Sequence, residues 1–171
     1  MNLIIFEIIN SLAFRWSLLD QILIFGALYL PYVLIVSSLL LLVFDFKRYK
    51  FLPILSILSG FIAYLFVLLS RALYYNSRPF MSEESEFLLK HYDVSSFPSA
   101  HTSFFFAFSA IIFLYNKKAG IIFFALSFII GLSRIATGLH WPIDILSGIV
   151  LGVAVGFVVW HYVNKQILLC K

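Results

Sequence analysis

Long apolar runs separated by short polar turns dominate the chain. Five stretches carry the pattern: Ile22–Phe44, Phe51–Tyr74, Ser99–Tyr115, Ala119–Thr137 and Pro142–Asn164. A helix rises 1.5 Å per residue, so about 20 apolar residues cross the ~30 Å hydrocarbon core of a bilayer. All of the stretches except Ser99–Tyr115 meet that length comfortably. Ahead of them, "NLIIFEIINSLAF" is apolar but too short to cross, with Asn2, Glu7 and Asn10 among its polar positions. It predicts an amphipathic helix lying in the interface, or an early turn of a sixth span.

Composition strengthens this picture. Of 171 residues, 63% are hydrophobic and 12% charged, against a usual charged share of about 25%. Too few polar groups remain to cover a soluble surface. The expectation is an all-α integral membrane protein, one domain over residues 1–171, with a bundle of five or six transmembrane helices. The single cysteine, Cys170, rules out an intrachain disulfide or a cysteine-based metal cluster. A formal net charge of +4 does not imply nucleic acid here, because in a membrane protein the placement of cations matters more than their sum. No cleavable signal peptide is expected, since the N-terminus lacks a basic region before the first long span.

The cations set an orientation. Lys47, Arg48 and Lys50 lie between the first and second spans, Lys117 and Lys118 between the third and fourth, and Lys165 and Lys171 after the fifth. Five spans put all of these on one side, which the positive-inside rule makes cytoplasmic, together with the C-terminus. The other, external side receives the N-terminal helix, the 76–98 loop and "GLHW", with Glu83, Glu84, Glu86 and Asp93. The three glutamates predict the solvated first turn of a short helix, with Phe87, Leu88 and Leu89 resting on the bilayer.

Three segments on the external side break the apolar pattern: "SRALYYNSRPF" (70–80), "SFPSAHTS" (96–103) and "SRIATGLHWPID" (133–144). They are distant in sequence, but the topology brings them to one face. Together they supply Arg71, Arg78, Arg134, His101, His140 and Asp144. Three guanidiniums placed together repel unless an anion joins them, and the guanidinium fork matches phosphate oxygens. Pro98 and Ser99 mark a helix start with Ser99 as N-cap, whose free N–H groups suit a phosphate, and His101 sits in that first turn ready to protonate a leaving oxygen. His140 precedes Asp144 by four residues around Pro142. At that spacing the carboxylate fixes one imidazole tautomer and leaves the other nitrogen free to attack. No carboxylate cluster with metal-ligand spacing accompanies them, so metal-independent chemistry without a cofactor is expected.

Each residue taken singly has a plainer explanation. One arginine near a helix end usually snorkels to the interface, and a lone histidine there is more often structural. His161 and His91 belong in that class, and the phenylalanines read as lipid-facing or interhelical packing. Gly148, Gly152 and Gly156 recur every four residues and predict close helix packing, a weak signal for dimerisation. Six ionisable groups converging on the face that the other cations avoid are not explained by snorkelling.

These residues resemble the type-2 phosphatidic acid phosphatases, relatives of the vanadium haloperoxidases, whose signature is Lys-x6-Arg-Pro, Pro-Ser-Gly-His and Ser-Arg-x5-His-x3-Asp. The corresponding residues are Arg71-x6-Arg78-Pro79, Pro98-Ser99-Ala100-His101 and Ser133-Arg134-x5-His140-x3-Asp144. Arg71 in place of lysine keeps the charge, and Ala100 in place of glycine slightly restricts the backbone beside the phosphate. The resemblance implies a vanadium-haloperoxidase-like core in which His140 attacks phosphorus, Asp144 orients it, and His101 protonates the leaving group and then activates water. It implies a phosphate site made of Arg71, Arg78, Arg134 and Ser99 with nearby backbone N–H groups, in motifs that include Ala100 and Ser133. Small size, five spans and the N-terminal segment are similar to bacterial undecaprenyl-diphosphate phosphatases of the bacitracin-resistance type. That similarity implies a lipid diphosphate substrate, cell-wall carrier recycling and a plasma-membrane location. A glycerolipid or lipid A phosphatase, a phosphotransferase and a non-enzymatic anion-binding or transport protein stay open at this point.

Overall fold

The computed structural model describes residues 2–44, 46, 50–81, 87–90 and 95–169. Their regular elements are helical, apart from one β-bridge pairing Ser77 with Ser95. In chain order they are α1 (Asn2–Asn10), α2 (Ser17–Leu28), α3 (Leu30–Phe44), α4 (Leu52–Leu73), α5 (Ala100–Tyr115), α6 (Lys117–Ala136) and α7 (Pro142–Leu169), with a 3-10 turn at Pro79–Met81. α4, α6 and α7 are each long and apolar enough to cross a membrane, and α2 with α3 forms a fourth, bent span.

Helix α5 has only 16 residues, short of a full crossing at 1.5 Å per residue. It tolerates this because it is the centre of the bundle, packed against α4, α6 and α7. Phe105, Phe108, Ile111 and Ile112 are buried there with Leu34, Leu52, Ala63, Ile130 and Val155 from the surrounding helices. Serine hydroxyls add polar links inside this core: Ser109 pairs with Ser127 at 2.9 Å, and Ser59 donates to the Ala107 carbonyl at 3.3 Å. Outward faces stay apolar and exposed, as at Val36, Leu40, Ile54, Leu65, Leu69 and Val150, which suits hydrocarbon rather than water.

The glycine stripe of α7 is filled from within the chain. A Cβ added at Gly148 would sit 3.1 Å from the Ser99 carbonyl, and one at Gly156 would sit 2.9 Å from the Ala107 carbonyl. The close packing expected from the stripe is thus met by α5.

Three expectations need correction. The first span is not one helix over Ile22–Phe44. Helicity begins at Ser17, and the two halves meet at 56° around Tyr29. Pro31 explains the break, since it offers no N–H to residue 27 and its ring crowds that carbonyl. The short helix expected ahead of the third span is not seen at Phe87–Leu89, which is non-helical and half-buried. Leu88 and Leu89 direct their N–H groups to the Thr137 carbonyl at 3.2 and 3.4 Å, so they close on the end of α6 rather than lie on lipid. Glu83, Glu84 and Glu86 lie outside the described residues.

Helix α1 is short, as expected, but two of its polar residues face the protein. Asn10 Nδ2 donates to the Ala136 carbonyl at 2.9 Å, and Asn2 Oδ1 accepts from the Ile143 N–H at 3.1 Å. Phe6 is buried between them, its ring centroid 4.9 Å from that of Trp141. α1 therefore satisfies polar backbone at both sides of the α6–α7 turn.

Candidate active site

The ends of α4 and α6 and the beginnings of α5 and α7 meet at one end of the bundle, and hydrogen bonds stitch them together. Arg71, in the last turn of α4, donates through Nη2 to the Pro98 carbonyl at 3.2 Å. Beyond it, Ser96 N–H pairs with the Asn76 carbonyl at 2.8 Å beside the Ser77–Ser95 bridge. This brings Arg78 into the interior, where Nη1 donates to the Leu139 carbonyl at 3.0 Å. Across the site, the Ser99 N–H reaches the Asp144 carbonyl at 3.1 Å.

Ser99 caps α5 as its sequence predicts, accepting from Thr102 N at 3.4 Å and from Thr102 Oγ1 at 3.0 Å. The cap starts the helix at Ala100, so Ala100 and His101 in the first turn line the cavity.

Helix α6 ends in a tight reversal. Gly138 has φ of 82°, a left-handed conformation that glycine adopts without steric cost. Its N–H bonds the Ile135 carbonyl at 3.0 Å, and Leu139 N–H bonds the Arg134 carbonyl at 3.0 Å. This pair of bonds is the Schellman arrangement that satisfies the last carbonyls of a helix. The reversal folds the chain back over Arg134, so that His140 N–H lies 3.3 Å from the Arg134 carbonyl.

Pro142 opens α7, and Asp144 in its first turn accepts the Trp141 N–H on Oδ2 at 2.9 Å. Asn76 Nδ2 donates to Oδ1 of the same carboxylate at 3.3 Å. His140 Nδ1 stands 3.5 Å from Oδ2, longer than a good hydrogen bond. On the other edge of the ring, His140 Nε2 is 3.3 Å from Arg78 Nη1. Arginine only donates, so Nε2 carries the lone pair and Nδ1 carries the proton facing Asp144. The spacing of His140 and Asp144 in the sequence anticipates this geometry.

Arg71, Arg78, Ala100, His101, Arg134 and His140, with Tyr64, line a cavity of about 150 Å³. Arg78, Arg134 and His140 are almost fully buried, and Asp144 completely so. Asp144 stands behind His140 and is not part of the lining. Two other predicted residues also lie off the cavity wall. Ser99 is turned to its capping role, and the Ser133 side chain packs where α2 approaches at Gly26. A larger cleft of about 760 Å³ between α1 and Tyr74, Phe97 and Trp141 is lined by none of these arginines or histidines.

A mostly apolar groove of about 240 Å³ adjoins the cavity, bounded by Pro31, Tyr32, Ile35, Phe104 and Phe105 and sharing Tyr64, Ala100 and His101 with it. Tyr64, Asn76 and Trp141 belong to the site without having been singled out in the sequence. Tyr64 was legible in principle, because it precedes Arg71 by seven residues and so shares its helix face. Trp141 steadies the turn through Nε1, which donates to the Ser77 carbonyl at 2.8 Å.

His140 lies in the turn between α6 and α7, and its pKa is pushed well below the ordinary 6.5. Burial is the main cause, and the positive charges of Arg134, Arg78 and Arg71, with His101, add to it. The neutral ring is thus the resting form at pH 7. Protonation, which would fill the Nε2 lone pair, occurs only as pH falls through the depressed value. The acid limb of kcat/KM, corrected for substrate ionisation, should therefore fall below pH 6.5. A limb at or above 6.5 would contradict this electrostatic picture.

Comparison with known proteins places the chain in a family. The model of the PAP2 superfamily matches residues 52–168. The bacitracin transport permease protein BcrC of Bacillus licheniformis is 32% identical over 162 residues, covering 94% of this chain and 80% of that one. Undecaprenyl-diphosphatase BcrC of Bacillus subtilis (strain 168) is 30% identical over 169 residues, covering 95% and 84%. The crystal structure of Aquifex aeolicus LpxE aligns with a TM-score of 0.75 at 30% identity, covering 94% of this chain and 95% of that one. With the family match spanning most of α4 to α7 and the buried histidine–arginine cavity at its centre, the chain belongs to the PAP2 superfamily as a membrane lipid phosphatase.

Proposed function

We propose that this protein removes the terminal phosphate of undecaprenyl diphosphate, leaving the monophosphate, through a phosphohistidine intermediate. The observation that carries the proposal is the junction of the arginine-lined cavity with an apolar groove, through shared Tyr64, Ala100 and His101. A phosphate fits the first and the start of an isoprenoid chain fits the second. The name of the B. subtilis relative supports this choice of lipid.

In the proposed sequence, Arg71, Arg78 and Arg134 hold the phosphoryl oxygens. His140 Nε2 attacks phosphorus while Asp144 receives the Nδ1 proton in a hydrogen bond, stabilising the imidazolium that develops. His101 protonates the departing lipid phosphate and then takes a proton from the water that opens the phosphohistidine. The arginines meet the charge that builds on the equatorial oxygens in both steps. No step is assigned to a metal. The cation distribution argued from the sequence supports an external active site, a cytoplasmic C-terminus and a role in recycling the cell-wall lipid carrier.

The name of the B. licheniformis relative raises transport as a second reading. Against it, no Asp, Glu, Lys or Arg lies between Lys118 and Arg134 or between Asp144 and Lys165, where a charged pathway through α6 and α7 would leave one. A substrate panel in detergent tests the proposal. In the presence of chelator, undecaprenyl diphosphate should be hydrolysed with a kcat/KM at least about tenfold above that of phosphatidate or phosphatidylglycerol phosphate. Equal or faster turnover of a glycerolipid would reassign the substrate, and strict dependence on added magnesium would overturn the metal-independent chemistry.

A further inference from the structure

Arg134 is buried at the cavity wall with its Nη1 donating to the Ala27 carbonyl of α2 at 3.2 Å. That carbonyl owes its availability to the break in the first span. In an unbroken helix the N–H of residue 31 would bond to it, but residue 31 is proline and has none. The bonds on either side keep helical spacing, with one tightened i→i−3 contact at Tyr32. Tyr29 N–H reaches the Phe25 carbonyl at 2.9 Å, and Tyr32 and Val33 both turn to the Tyr29 carbonyl at 3.0 and 3.2 Å.

The approach of α2 to α6 is equally specific. Gly26 faces Ser133, and a Cβ placed on it would come within 3.0 Å of the Ser133 Cβ. The residue next to Gly26 thus presents its carbonyl to the residue next to Ser133. A cation buried beside two others needs an acceptor to hold it. Here the acceptor comes from the C-terminal end of α2, where the helix dipole is negative.

We infer that the Pro31 break is a positioning device for the phosphate site: it leaves the Ala27 carbonyl to anchor Nη1 of Arg134. The rest of the guanidinium is then held for the ligand. Its Nε has no hydrogen-bond partner among the described residues. Pro31 also borders the apolar groove, so one residue both shapes the lipid path and frees the anchor of the phosphate clamp. The inference rests on the reading of the cavity as a phosphate site.

Pro31→Ala restores the missing N–H, and inorganic phosphate is the probe. The purified protein is titrated with phosphate, and the apparent Kd is read from the shift in thermal midpoint. Pro31→Ala should weaken phosphate about tenfold while the ligand-free midpoint stays level or rises, an outcome that general structural damage would not produce. Gly26→Ala, which forces α2 away from Ser133 with Pro31 intact, should give a similar loss and decides the matter if Pro31→Ala does not fold. In an Arg134→Leu background, Pro31→Ala should change the Kd by less than about twofold, because the residue it positions is gone. Val33→Ala, at an exposed position on α3, should match wild type. Wild-type affinity in Pro31→Ala, or a full additional loss in the Arg134→Leu background, would overturn the inference. A wild-type protein that binds no phosphate would instead remove the reading on which it rests.

Discussion

Replacing His140 by alanine should lower the rate of phosphate release on the order of 10⁴-fold or more. Among the described residues lining the cavity, His140 is the proposed nucleophile, and its geometry leaves little room for a substitute. Nδ1 faces the Asp144 carboxylate at 3.5 Å, and Nε2 faces Arg78 Nη1 at 3.3 Å. Water attacking directly would lack both the orientation and the leaving sequence that the imidazole provides. His140 is nearly fully buried, so alanine also leaves a void, and His140→Gln serves as the variant that retains volume. Both should bind phosphate, because Arg71, Arg78 and Arg134 remain. Initial rates from protein with an intact thermal transition provide the check, and retention of more than about 1% of turnover would contradict the nucleophile assignment.

A second large effect should follow from His101→Ala, with a dependence on the leaving group. General acid catalysis typically contributes about 10²–10⁴-fold, and its value depends on how badly the leaving group needs a proton. A glycerolipid phosphate such as phosphatidate, which expels a strongly basic alkoxide, should suffer the full loss. A p-nitrophenyl ester, which departs without protonation, should keep most of its rate of phosphoenzyme formation. In the proposed sequence His101 also activates the water in the second step, so the phosphoenzyme should then accumulate. Rapid-quench measurement on both substrates distinguishes these outcomes. Equal losses without accumulation would place His101 among the binding groups rather than the proton carriers.

The candidate site was legible in the sequence because it is built from residue types that hydrocarbon excludes. Arg71, Arg78, Arg134, His101, His140 and Asp144 stand out against an apolar background, and span parity brings their segments to one side. The His140–Asp144 spacing is local and survives folding unchanged. The Ser99 cap is likewise a short-range event, read from Pro98, Ser99 and the apolar run that follows.

Other features depend on partners that the sequence does not name. The fracture at Pro31 is hidden in a hydropathy profile, since an apolar stretch with one proline averages like a continuous helix. Asn2 and Asn10 were read as the wet side of an interfacial helix. Their partners, the Ile143 N–H and the Ala136 carbonyl, lie more than a hundred residues away. Asn76 passed as a loop residue because its partner Asp144 comes from another helix. Ser133 sits in the Ser-Arg pair of the motif, yet its side chain meets Gly26 of α2, a packing contact that the motif does not encode.

Trapping the phosphohistidine tests covalent catalysis by His140 most directly. The purified protein is mixed with undecaprenyl diphosphate labelled in its terminal phosphate, quenched in alkali within one turnover and digested. The label should appear on the peptide containing His140, survive the alkali and be lost on mild acid treatment. A protein that releases labelled phosphate at full rate with no adduct on that peptide would contradict the account.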